Sequence, residues 1–61
     1  MALTIDVVVN SLLEGLDKKP ADYELARKAL LEYQAANQMS LRELNELCWK
    51  DSTYMFDIIY G

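Results

Sequence analysis

The chain has 61 residues, so it forms one domain at most, and a domain of that size buries only about 60% of the surface its unfolded chain exposes. One Cys and no His exclude an intrachain disulfide and leave no recognisable zinc or haem ligand set, which fits a reducing compartment, the cytoplasm. Six Lys and Arg stand against ten Asp and Glu, a net charge of −4 that aids solubility and opposes non-specific binding to nucleic acid.

The opening, MALTIDVVVNSLLEG, lacks a basic start, and Asp6 and Asn10 interrupt its apolar run, so it does not read as a signal peptide. Nothing approaches the ~20 apolar residues of a membrane span. Thr4 suits an N-cap, and Ile5, Val9, Leu12 and Leu16 recur at four, three and four residues, with Val8 and Leu13 widening the stripe. A helix over about Ile5 to Leu16 is predicted. The β-branched run Ile5 to Val9 leaves a short strand as the competing reading. Gly15, Asp17 and two lysines suit the helix end.

A second helix is predicted to begin near Pro20, a residue well tolerated at a first helical position, with Asp22 and Glu24 complementing the helix dipole. Tyr23, Ala26, Leu30 and Tyr33 form its inward stripe, with Ala29 beside it. Glu24, Arg27, Lys28, Glu32 and Gln34 look outward. It should end at Asn37 or Gln38, Asn being tolerant of a left-handed conformation.

Ser40-Leu41-Arg42-Glu43 is a capping box that opens a third helix. Leu41, Leu44 and Cys48 line its core face, with Leu47 at the edge. Asp51-Ser52 can cap a fourth helix from about Thr53 to Tyr60, with Met55 and Ile58 as its core pair. Alternatively, Leu41, Leu44, Cys48, Asp51, Met55 and Ile58 keep alternating steps of three and four, so Ser40 to Tyr60 also fits one helix of roughly 30 Å. The Asp51-Ser52-Thr53 cluster favours a break. Gly and Pro are scarce throughout, as is strand-like alternation. The expected fold is therefore all-α, a small three- to four-helix bundle. Residues 1–19 supply an N-terminal helix and linker, and residues 20–61 the remainder of a single domain.

Leu30 to Gly61 resembles the lambda-repressor-like (Xre/Cro type) helix-turn-helix family. The shared frame is an apolar pair three apart, Leu30 and Tyr33. A turn then leads to Met39-Ser40-Leu41-Arg42-Glu43-Leu44, Cys48 follows as the small residue, and the closing segment is Asp51 to Gly61. The resemblance implies a helix-turn-helix-like core and a groove-facing last helix. Trp49 and Lys50 stand where the family has Gly and an aliphatic residue, and from Asp51 onward there are two Asp and no Lys or Arg. DNA reading as a dimer would fall to Arg42, Lys50, Ser52, Thr53 and Tyr54, opposed at close range by Glu43, Glu46, Asp51 and Asp57.

Trp49, Phe56, Ile59 and Tyr60 are more apolar surface than a short helix can bury on its core face, and grouped apolar exposure marks an interaction surface. Either the first helix folds over them, or a second copy or a partner protein covers them. Catalysis has little footing: there is no His, no Gly-rich phosphate loop, and Cys48 sits on the inward face. No cofactor or metal is expected. The expectation is a small, acidic, cytoplasmic regulator acting by protein–protein contact, of the antirepressor or inhibitor type found in phages and mobile elements. Oligomerisation is a usual remedy for small size, so a homo-oligomer is expected, with a DNA-binding regulator as the candidate partner.

Overall fold

The computed structural model describes residues 2–61. Thr4 is extended, and its Oγ1 accepts from the Val7 N–H at 3.2 Å, which starts α1 (Ile5–Leu13). Helix rather than strand prevails because Val8, Val9, Leu12 and Leu13 then fall on one side and are buried together. A strand would send neighbours to opposite faces. The helix stops three residues before its predicted end. Gly15 adopts φ +80, a left-handed conformation natural to glycine, and the Leu16 N–H turns back to Leu13 O at 3.1 Å. Leu16, expected in the core stripe, lies past this turn and is 44% exposed.

Pro20 opens α2 (Pro20–Asn37). Asp22 Oδ2 accepts from the Lys19 N–H at 3.0 Å, satisfying one free donor at that end. The left-handed residue that ends the helix is Gln38, φ 51, rather than Asn37. Its N–H and that of Met39 donate to Ala35 O and Gln34 O, closing the last turn. Both halves of the Ser40 capping box form: Ser40 Oγ accepts from Glu43 N–H at 3.1 Å and Glu43 Oε1 from Ser40 N–H at 3.0 Å. They open α3 (Leu41–Lys50).

The chain does not run on as one helix. Asp51, at φ −144 and ψ 70, closes α3 by donating its N–H to Leu47 O at 2.8 Å. Its Oδ1 accepts from Tyr54 N–H at 3.2 Å and so opens α4 (Ser52–Tyr60). A carboxylate in the middle of an apolar seam would be buried without a partner; at a break it becomes a cap.

These four helices account for the regular structure of the described residues, with no strand among them. α1 and α4 each pack against both α2 and α3, and α2 touches α3. α4 runs antiparallel to α2: Tyr54 meets Tyr33 at one end and Tyr60 meets Asp22 at the other. Every helix contributes to one core of Val8, Val9, Leu12, Leu13, Ala26, Leu30, Leu44, Cys48, Met55 and Ile59. No polar side chain is buried in it. The radius of gyration, 10.6 Å, matches the ~10.5 Å scaling value for a compact domain of this length. Among the described residues no helix is long and apolar enough to cross a membrane.

Candidate protein-docking surface

The four residues expected at an interface separate into three environments. Trp49 stands on the last turn of α3 and is 73% exposed. Phe56 is half-buried and stacks on Tyr60, ring centroids 6.5 Å apart at an interplanar angle of 24°. Tyr60 is 45% exposed, but its hydroxyl donates to Asp22 Oδ1 at 2.9 Å and the Lys18 ammonium sits 5.0 Å from its ring centroid. Ile59 is a correction: it lies in the core, 6% exposed. α4 packs with Met55 inward, and Ile59, four residues on, shares that face more closely than Ile58, three residues on. Ile58, expected as core, is only half-buried.

Beside Trp49 is a cleft of 180 Å³ lined by Ser11, Leu12, Cys48, Trp49 and Ser52. It forms where α1 crosses the junction of α3 and α4. The contribution of Ser11 and Leu12 left no signal in the sequence, because it depends on how α1 docks. α1 does fold toward the aromatic segment and helps cover Cys48, yet it leaves the indole in solvent. Ser52, Phe56 and Tyr60 follow one another at i, i+4 and i+8, so they continue as a row along α4 from the cleft toward Lys18.

Arg42, Lys50, Ser52, Thr53 and Tyr54 are all exposed. Arg42 and Lys50 stand near opposite ends of α3, about 12 Å apart along its axis. The Tyr54 ring meets Tyr33 edge-on at 6.2 Å, the two hydroxyls being 3.4 Å apart. That contact, with lesser help from desolvation, raises the Tyr33 pKa above its ordinary value. Trp49 and Lys50 are helical, and no residue between α3 and α4 takes a positive φ. The junction thus has no need of glycine.

The net charge is unevenly placed. Residues 17–38, containing α2, hold four acidic and four basic side chains. Residues 2–16 hold Asp6 and Glu14 and no Lys or Arg; residues 39–61 hold Glu43, Glu46, Asp51 and Asp57 against Arg42 and Lys50. Along the sequence the whole excess of carboxylate therefore belongs to the segments containing α1, α3 and α4, and Asp6 of α1 is paired across to Arg27 of α2 at 3.2 Å. Glu14 faces a second cleft, lined also by Val7, Asn10, Ser11, Gly15 and Tyr23, and Lys50 and Asp51 lie between Trp49 and Ser52.

Two titratable groups report on this architecture. The backbone N–H of Lys19, then the Tyr60 hydroxyl, hold the Asp22 carboxyl below its ordinary 3.8. A lowered carboxylate pKa stabilises the fold above the unfolded value, and the gain is lost as pH falls through the folded value. Tyr60→Phe is thus expected to lower the urea midpoint near neutrality, and the gap from wild type should close in acid, as pH falls through the folded value below 3.8. Urea titrations at both pH values check this, and a gap unchanged in acid would rule the bond out as its source. Burial pushes the Cys48 thiol up, and the residue is only 5% exposed. The native thiol should react with Ellman's reagent at least about a hundredfold more slowly than in denaturant; similar rates would show that the α3 wall of the cleft opens readily.

No protein-family model, curated protein or solved structure matches this chain.

Proposed function

We propose that this protein is a small cytoplasmic regulator that works by binding another protein, in the manner of an antirepressor or inhibitor of phages and mobile elements. The observation that carries this reading is Trp49, 73% exposed on a helix end beside a cleft whose walls include Leu12 and Cys48. An indole presents a large apolar area with a polar N–H at little rotamer cost, and tryptophan is among the residues that most often dominate interface energetics. The Phe56–Tyr60 stack extends the surface along α4. The resemblance of residues 30–61 to helix-turn-helix proteins supports the regulatory setting. The charge argues against duplex reading: residues 39–61 offer Arg42 and Lys50 to phosphate and set four carboxylates beside them.

The test is affinity capture from host extract with the wild-type chain and with Trp49→Ala. The expected result is a protein retained by wild type and released by the variant, both chains remaining equally helical by circular dichroism. Retention of duplex DNA instead, with affinity falling steeply as salt rises, would overturn the reading in favour of DNA binding through Ser52, Thr53 and Tyr54.

A further inference from the structure

We propose that two copies of this chain exchange α4: the bend at Asp51 straightens, α3 and α4 join into one helix, and each α4 docks against α2 and α3 of the other copy. The exchange is independent of the docking role given to Trp49, and three observations carry it. The first is the hinge. Residues 41–50 and 52–60 are already helical, and Asp51 alone separates them, at φ −144 and ψ 70. A change of about 80° in φ and about 110° in ψ brings that residue to helical values. No glycine, proline or positive φ stands at the junction to enforce the turn, and hinges this short invite exchange between copies.

The second observation is that the straight form makes a sound helix. Leu44 and Cys48 are the buried residues of α3, and Met55 and Ile59 those of α4. Cys48 and Met55 are seven residues apart, so in one helix the two buried stripes coincide to within about 20°. Straightening also gives the N–H groups of Ser52, Thr53 and Tyr54 helical acceptors in the carbonyls of Cys48, Trp49 and Lys50. In the bent form the Tyr54 N–H goes to Asp51 Oδ1 at 3.2 Å, while those of Ser52 and Thr53 have no backbone partner among the described residues. The Asp51 cap is therefore what the bend gains and the straight helix loses. The third observation is that the grip on α4 transfers intact. Met55 and Ile59 enter the shared core, Tyr54 meets Tyr33 and Tyr60 meets Asp22, and a second copy presents the same partners. The bent monomer bears no association entropy and prevails when dilute. The exchanged dimer forms when chains fold at high concentration, and it persists on dilution because Met55 and Ile59 must leave a core before it separates.

The test co-refolds two variants, Tyr33→Phe and Tyr54→Phe, at millimolar concentration and then applies oxidative dityrosine coupling. Neither chain holds the Tyr33–Tyr54 pair by itself; an exchanged heterodimer sets Tyr54 of the first against Tyr33 of the second. A covalent heterodimer is expected from the co-refolded mixture, and none from either chain alone or from the two folded separately when dilute and then mixed. Asp51→Ala removes the cap and places the best helix former at the hinge. Each dimer opens two hinges, so sedimentation should show it tightened by at least about tenfold. Asp51→Asn keeps a capping side chain and should match wild type. A covalent product no greater than that of the single chains or of the separately folded mixture would overturn the proposal, because any dimer present is then a surface association. Equal dimerisation of the Asp51→Ala and Asp51→Asn chains would overturn it as well, by removing the cap as the switch. If Asp51→Ala fails to fold, the co-refolded pair, which keeps Asp51, decides by itself.

Discussion

Leu30→Ala is expected to lower the unfolding free energy by about 3 kcal/mol, within the ~2–5 kcal/mol range for truncating a buried leucine, while Leu31→Ala next to it changes stability by less than about 1 kcal/mol. Leu30 is 0% exposed and shares the core with residues from all four helices; Leu31 is 37% exposed. Part of the Leu30 cost is the lost transfer of its methyl groups from water. The rest is the void left where a compact four-helix core cannot fully collapse. At ~0.05–0.15 kcal/mol per residue, a chain of this length holds only about 3–9 kcal/mol. The single change therefore takes a third or more of the total and leaves the variant near its threshold for folding. Urea unfolding followed by far-ultraviolet circular dichroism measures both variants, and equal losses at the two positions would show that α2 packs with a different face inward.

The second large effect separates the two adjacent isoleucines of α4. Ile59→Ala should cost about 2–4 kcal/mol and Ile58→Ala about 1 kcal/mol, because Ile59 is 6% exposed and Ile58 half-buried. The consequence reaches function. If Ile59 were an interface anchor, its truncation would weaken partner binding in a chain of unchanged stability. As a core residue it should do the reverse: lower the unfolding midpoint, with the fraction that remains folded binding at wild-type affinity. Binding measured alongside stability at low temperature distinguishes the two, and a stable Ile59→Ala chain with impaired binding would contradict the placement of α4.

Legibility followed the range of the interactions involved. The Thr4 cap, the Ser40–Glu43 box and the Asp51 cap are bonds within three residues of chain, so the residue types at those positions announced the first two and favoured the third over a continuous helix. The core faces of α2 and α3 were readable for a related reason: long or well-separated apolar periods leave one direction for burial. α4 was harder. In STYMFDIIY, apolar side chains at 54, 55, 56, 58, 59 and 60 leave no polar face wide enough to orient the helix by pattern alone, and Ile58 and Ile59 are interchangeable until a neighbour chooses. The neighbour is α2, gripped at one end by the Tyr33–Tyr54 contact and at the other by the Tyr60–Asp22 bond. Leu16 was misplaced for a local reason, since its helical period ceased to apply once Gly15 took a left-handed conformation.

By itself, then, the sequence determined that the chain is all-helical, where α2 and α3 begin, and that its charge is acidic, because caps, apolar periodicity and charge are properties of single residues and their near neighbours; the break at Asp51 it only favoured over one continuous helix. Only the tertiary structure decided which aromatic side chains remain in water, that Ile59 is core, and that Ser11 and Leu12 of α1 meet Trp49 across a cleft. Those outcomes depend on how rigid helices with several apolar faces divide a limited interior, a choice made between elements far apart in the chain.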